Sequence, residues 1–172
     1  MKKLMIASAI AMTMVAGSAM AAQGDVKFFG SVTEITCDVV PEVSGSVNNM
    51  IQLGSVKTGM LGEEVSLVFK AANASGQECA QLVSGKTASV EWSGNLTSDG
   101  IGAQGGLAKD AYVVLKPKNG TNSNVITSAN NVAEFAAEKV TDGNGLQFIA
   151  QLQGGKTPGD FRSAAAYAVS YK

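Results

Sequence analysis

The 172-residue sequence predicts an all-β fold, a sandwich built from short strands. Apolar and polar residues alternate at a period of two in several short segments, which is the pattern of half-buried strands. Helical periodicity is weak after residue 21, and Gly, Asn, Asp and Ser separate the segments as turn residues do. Short strands joined by turn-rich loops are typical of β-sandwiches.

The predicted strands follow one another along the chain. They cover residues 26–36, 50–53, 63–70, 87–93, 111–116, 124–127, 132–135, 146–152 and 165–172. Val65, Leu67 and Phe69 share one face of the strand 63–70. The segment 111–116 (AYVVLK) is continuously apolar over most of its length, so we expect it to be buried.

Turn signals predict how these strands are connected. Asp142-Gly143-Asn144-Gly145 supplies residues that accept a positive φ, so we expect it to close a hairpin between Val140 and Leu146. The segment 93–106 is long and glycine-rich and is expected to be a surface loop. A short helical turn at 131–138 is an alternative to a strand there, because NVAEFAAEK contains good helix formers.

Residues 1–21 have the three parts of a secretory signal peptide. Lys2 and Lys3 are basic, Leu4–Val15 is an apolar run too short to span a bilayer comfortably, and Ala19-Met20-Ala21 fits a cleavage site. We therefore expect residues 22–172 to be exported and to fold as one unit. This part has 11 basic and 14 acidic residues, scattered along the chain, so no nucleic acid is expected as a partner.

The residue types needed for catalysis or metal binding are scarce. The chain has no His, and Cys37 and Cys79 allow one intramolecular bridge, with free thiols or a metal site as the alternatives. Glu63 and Glu64 are neighbours on a strand and point to opposite faces, so they cannot converge in one acid–base site. Residues 100–105 match G-x-G-x-x-G outside the strand–helix context that a dinucleotide site requires. We expect no enzyme activity, cofactor or metal.

Both ends of the expected mature chain are apolar strands. The residues on one face of the first strand are Gly24, Val26, Phe28, Gly30 and Val32. Tyr167, Val169 and Tyr171 share one face of the last strand, and Lys172 follows it directly. An apolar strand at a chain end promotes aggregation unless another strand covers it. The identity of that covering strand therefore becomes the main functional question.

These features together resemble the subunits of chaperone–usher fimbriae, in particular the type 1-like pilins of Gram-negative bacteria. The matching elements are the Gly24–Val32 pattern followed by Cys37, the apolar strand end and Pro-Glu turn at 38–42, Cys79 after VSLVFK, Gly159, and the penultimate Tyr171. The resemblance covers the whole of 22–172. It implies an incomplete immunoglobulin-like sandwich that lacks its final strand and is completed by donor-strand exchange between subunits.

The resemblance also implies roles for particular residues. The extension 22–32 would donate a strand, with Val26 and Phe28 inserting and Gly24 and Gly30 allowing close approach. The domain 33–172 would receive one. Its acceptor groove and chaperone-binding residues would be Gly159, Tyr167, Val169, Tyr171 and Lys172. Phe29 departs from the family pattern, because it lies on the face opposite Phe28, where many relatives have a polar residue.

The partners implied by the resemblance are copies of this chain or sibling subunits, a periplasmic chaperone, an outer-membrane usher and, for an adhesive subunit, host receptor glycans. The chain would pass through the periplasm to a surface fimbrium that mediates adhesion. An alternative is that the subunit itself carries the adhesive site, on the loops 93–106 and 119–124. An independent secreted binding module with a complete sandwich is a third hypothesis, and a secreted hydrolase is the last.

Overall fold

The computed structural model describes residues 29–30, 32–33 and 35–172. The expected signal peptide and most of the expected donor strand lie outside these residues. The strands are β1 (Val39–Val43), β2 (Ser46–Val47), β3 (Val65–Ala71), β4 (Thr87–Gly94), β5 (Ile101–Gly102), β6 (Gly105–Gly106), β7 (Tyr112–Pro117), β8 (Val132–Ala136), β9 (Leu146–Gln153), β10 (Phe161–Arg162) and β11 (Ala165–Tyr171). A single 3-10 turn, Ala137–Val140, is the helical segment of the described chain, and no described helix is long and apolar enough to cross a membrane.

Two antiparallel sheets form the body of the molecule. The larger has the strand order β2-β1-β3-β9-β7-β5, and the smaller has the order β11-β4-β8. A separate two-stranded ribbon joins β10 to β6. Leu67 of β3 is opposite Phe148 of β9, and Tyr167 of β11 is opposite Trp92 of β4. These registers place alternate apolar side chains of each sheet on the face toward the other sheet.

Aromatic side chains from both sheets meet in the core. The ring centroids of Phe69 and Trp92 lie 5.9 Å apart, and those of Trp92 and Phe148 lie 5.4 Å apart. Phe135 reaches Phe148 from the third strand of the smaller sheet, at 5.3 Å. Such tilted and edge-on contacts contribute beyond the burial of area alone. The strands predicted at 63–70, 87–93, 146–152 and 165–172 therefore form because their alternating faces share this core.

A disulfide joins Cys37, just before β1, to Cys79 in the connection between β3 and β4. Its Cα atoms lie 4.7 Å apart, and both residues are buried. The bridge predicted from the sequence is present. It ties the first part of the domain to the segment through which the chain passes from one sheet to the other.

Several predictions of secondary structure are wrong. Residues 50–53 and 124–127 form no strand, although Ile126 is fully buried. The helical alternative at 131–138 is wrong for residues 132–136, which form β8. Ala133 and Phe135, two residues apart on this strand, are both buried in the core, so tertiary packing overrides the helix propensity. The predicted Pro-Glu turn is also absent. Pro41 lies inside β1, and the turn comes at Ser44 and Gly45, whose φ values are 52° and 82°.

The turn at 142–145 does not close a hairpin. It leads from the smaller sheet, which contains β8, to the larger one, which contains β9. Gly143 and Gly145 have φ values of 87° and 72°, so the expected backbone conformation is present without the expected pairing. The segment 93–106 contains β5 and β6, and Gly100 packs against the main chain at Val113. The G-x-G-x-x-G match therefore lies in β-structure with no helix after it.

Candidate functional site

An open groove with a volume of about 1760 Å³ runs into the core between the two sheets. Its floor is apolar and consists of buried core residues from both sheets. The floor residues are Leu67, Phe69, Trp92, Val113, Leu115 and Ala150. Pockets for small ligands occupy about 300–1,000 Å³, so this groove is larger than a metabolite requires. Its size and apolar floor suit a segment of polypeptide.

One wall of the groove is the 48–58 segment. Ile51 and Leu53 pack their side chains against the core, and Val56 packs against a smaller apolar cluster beside it. Within the described chain, no main-chain hydrogen bond joins residues 51–56 to a strand. The segment thus packs apolar side chains on one side and has main-chain groups available for a further strand.

The other wall comprises the 154–160 loop, β10 and the first residues of β11, Ala165 to Tyr167. Within the described chain, β11 is an edge strand that pairs with β4 alone. Lys172 and Thr87 exchange two main-chain hydrogen bonds, of 3.0 and 2.8 Å. Bonded and non-bonded pairs alternate along an antiparallel ladder, so the N–H and C=O groups of Ala165 and Tyr167 point to the outer edge of the sheet. The groove therefore has a strand edge on this side and the irregular 48–58 segment on the other.

The far end of the β11 edge is covered by the chain itself. The Tyr171 N–H donates to Oγ1 of Thr33 at 2.8 Å. The phenolic O–H of Tyr171 donates to the carbonyl of Cys37 at 2.8 Å, and its side chain is buried. Residues at the start of the domain thus take the place of a neighbouring strand at Tyr171.

The residues predicted for the acceptor groove divide into two groups. Gly159 and Tyr167 line the groove, and the Tyr167 ring lies 4.5 Å from that of Phe69. Val169, Tyr171 and Lys172 lie farther along the same strand, outside the groove lining. The Lys172 ammonium pairs with Glu134 at 3.0 Å. Their assigned roles in binding a chaperone stay predictions.

Of the residues predicted for the donor strand, Gly24, Val26 and Phe28 lie outside the described residues. Gly30 is exposed, and a Cβ built on it would meet nothing within 4 Å. Phe29 and Val32 are also exposed, with Val32 fully so. The described part of the extension therefore leaves apolar side chains in solvent.

Sequence reasoning missed the 48–58 wall and the role of the aromatic residues in the groove floor. Met50–Leu53 has the alternation of a strand, but it pairs with no strand of the described chain, and alternation alone does not indicate a groove wall. Phe69 and Trp92 are core residues, and the same rings also line the groove. The signal that could have indicated this wall was the strand-like alternation at 50–53 without a predicted partner strand.

The arrangement favours binding over chemistry. Among the described residues, no group of three His, Cys, Asp or Glu side chains could hold a metal ion. Burial raises the pKa of Tyr167, the ionisable side chain that stacks on the groove floor, so its hydroxyl is neutral at physiological pH. The groove therefore offers apolar contacts and main-chain hydrogen bonds.

The curated proteins that are similar in sequence to this chain are fimbrial proteins. F107 fimbrial protein of Escherichia coli is 50% identical to this chain over 173 residues, across the full length of both proteins. The Major MR/P fimbria protein of Proteus mirabilis (strain HI4320) is 32% identical over 186 residues, which cover 100% of this chain and 99% of the relative. No protein-family model matches the chain.

Among solved structures, the crystal structure of the P pilus rod subunit PapA is similar in fold. The TM-score is 0.51 at 19% sequence identity, over 87% of this chain and 100% of that one. At this identity the likeness concerns the fold alone. It confirms the prediction of an all-β, immunoglobulin-like sandwich.

Proposed function

The chain belongs to the fimbrial subunits of chaperone–usher pili, and we propose that its copies polymerise by donating residues 22–32 to one another's grooves. Fimbrial subunits are structural proteins, in agreement with the expectation that this chain is not an enzyme. The observation that carries the proposal is the groove itself. It has an apolar floor between the 48–58 segment and the edge of β11.

A strand in this groove would pair with the main-chain groups of the β11 edge and cover the apolar side chains of the floor. Its main chain would hydrogen-bond to the outward-facing groups of Ala165 and Tyr167. Its alternate side chains, Val26 and Phe28, would pack on the floor at Phe69 and Trp92. Burying the two donor side chains would contribute roughly 3–6 kcal/mol before the cost of ordering the segment.

The contact is head-to-tail, since the donor segment of one copy meets the groove of another. A heterologous contact of this kind does not close on itself and builds a filament. We propose that this filament is the surface fimbrium and that it mediates adhesion. Export through residues 1–21, capping of the groove by a periplasmic chaperone and passage through an outer-membrane usher belong to the same proposal.

Moving the donor strand within one molecule tests the proposal. Residues 22–32 are removed from the N-terminus and attached after Lys172 through a short flexible linker. The rearranged chain is expected to be monomeric and to melt at a higher temperature than the parent chain. Size-exclusion chromatography and thermal unfolding by circular dichroism provide the two measurements.

The matched control carries the same rearrangement with Val26 and Phe28 both replaced by Ser. It keeps the linker and the main-chain hydrogen bonds but loses the apolar contacts, so it should gain little stability. If the rearranged chain with native Val26 and Phe28 is no more stable or monomeric than the parent, the groove does not bind this strand.

A further inference from the structure

The 154–160 loop forms one wall of the groove without regular secondary structure of its own. Its glycines sit against three other segments. A Cβ on Gly154 would press on the carbonyl of Lys57, one on Gly155 on the Asp110 carboxylate, and one on Gly159 on Leu107. The loop is therefore fitted closely to its neighbours, and its position depends on them.

Asp110 makes the side-chain contacts that hold the middle of this loop. Its carboxylate accepts hydrogen bonds from the main-chain N–H groups of Lys156, at 2.6 Å, and Thr157, at 3.3 Å. These bonds, led by the one from Lys156, lower the pKa of Asp110 from its ordinary value, so the side chain is charged at neutral pH. A charged acceptor forms stronger bonds with N–H groups than a neutral one does.

The turn that carries Asp110 is itself well anchored. Ala108 and Ala111 are buried on either side of Asp110 and pack with Leu152 in a small apolar cluster. Leu53 and Val56 join this cluster from one wall of the groove, and Phe161 joins it from the other. Asp110 thus projects from the point where both walls of the groove converge.

We propose that Asp110 is a positioning residue for strand insertion. Its carboxylate fixes the 154–160 loop, so this wall is already ordered when a donor strand arrives. Asp110 does not line the groove and acts through Lys156 and Thr157. Without it, the loop must be ordered during binding, and that cost lowers affinity. This inference rests on the proposed function, because it concerns the same groove.

Binding of a synthetic peptide with the sequence of residues 22–32 to the full chain tests the proposal. The peptide carries a fluorescent label, and its dissociation constant is measured for the parent chain, Asp110→Ala and Asp110→Asn. We expect about a five- to tenfold weaker affinity for Asp110→Ala, from the usual cost of ordering one or two groups on binding. Asp110→Asn keeps one oxygen acceptor in place and should lose less.

Asp142→Ala is the matched control. Asp142 also accepts a main-chain hydrogen bond in a turn, from Asn144 at 2.8 Å, but it lies near the opposite end of β9 from the 154–160 loop. This variant should bind the peptide as the parent does. Amide hydrogen exchange at Lys156 and Thr157 should accelerate in Asp110→Ala alone, while the melting temperatures of the peptide-free chains stay close together.

The outcomes separate the two proposals. Unchanged peptide affinity in Asp110→Ala, or unchanged exchange at Lys156, overturns the role of Asp110 while leaving the groove as the binding site. An equal loss of affinity in Asp142→Ala also overturns it, because the effect would then be global. A parent chain that does not bind the peptide refutes the proposed function and this role with it. Should Asp110→Ala fail to fold, Asp110→Asn decides the question.

Discussion

Tyr171 connects β11 to Thr33 and to Cys37 through two hydrogen bonds. Its hydroxyl donates to the Cys37 carbonyl beside the disulfide, and its N–H donates to Thr33. Burial, assisted by the charge of Asp38, raises the pKa of Tyr171 to about 12 from an ordinary value of 10.0. The folded protein therefore keeps this proton at pH values where an unfolded chain releases it.

Replacing Tyr171 with Phe should destabilise the fold by about 1–3 kcal/mol, because the buried Cys37 carbonyl loses its donor. In the parent, the contribution from this pKa shift is complete below pH 10 and declines between pH 10 and about 12. Tyr171→Phe should remove that part of the alkaline decline. Urea unfolding at pH 7 to 11.5 measures both effects.

Tyr167→Phe is the control, since the Phe ring keeps the stacking on Phe69. Absorbance titration should lose its step near pH 12 in Tyr171→Phe and keep it in Tyr167→Phe. If the two variants show the same alkaline profile, the raised pKa does not belong to the buried hydroxyl of Tyr171.

Among the elements, β11 is bonded differently at its two ends. Near Tyr167 its outer edge borders the groove, whereas at Tyr171 the Thr33 hydroxyl occupies the position of a strand partner. The hydroxyl of Thr33 also lies 2.9 and 3.2 Å from the carbonyls of Ile35 and Tyr171. Thr33 therefore covers the outer edge of β11 at Tyr171.

Thr33→Val tests this assignment with little change of volume. The Tyr171 N–H would lose its acceptor near the buried end of the strand, at a cost of about 1–2 kcal/mol in the free energy of unfolding. Thr36→Val is the comparison variant, because Thr36 is exposed in the same segment. Equal midpoints of urea unfolding for the two variants would show that Thr33 does not support the strand end.

The elements also show how far sequence reasoning reaches in this protein. Strands β3, β4, β9 and β11 follow from their alternation, because each has a partner and a core within the same chain. The 50–53 segment has the same alternation of apolar and polar residues. It forms no strand in the described chain, because no described strand pairs with it. Residues 132–136 form the strand β8 and not a helix because of contacts across the core, and local propensity carries no information about such contacts.

The candidate site was predictable in part for the same reason. The apolar face of the last strand indicated an unpaired edge, and Gly159 and Tyr167 do line the groove. The hold of Asp110 on the 154–160 loop could not be predicted, because it joins residues 46 and 47 positions apart through main-chain N–H groups. Main-chain donors are present at almost every residue and leave no trace in the sequence.

For the whole molecule, a groove that runs into the core between the two sheets makes covalent bracing of the fold important. The disulfide closes a loop with a sequence separation of 42 residues and ties the start of β1 to the connection between the sheets. On the chain-entropy model, a loop of this length stabilises the fold by about 4 kcal/mol. Single domains have a total stability of only about 5–15 kcal/mol. The bridge is therefore a large share of what holds the fold together.

Replacing Cys37 and Cys79 together with Ala should lower the free energy of unfolding by about 4 kcal/mol. A strand that fills the groove should oppose this loss, because a ligand that binds the folded state stabilises it by about 2.7 kcal/mol at 100 times its dissociation constant. Urea unfolding of parent and double variant, with and without the peptide of residues 22–32, measures both terms. The same peptide with Val26 and Phe28 replaced by Ser controls for non-specific effects. If the native peptide raises the stability of neither protein, the groove does not bind this strand.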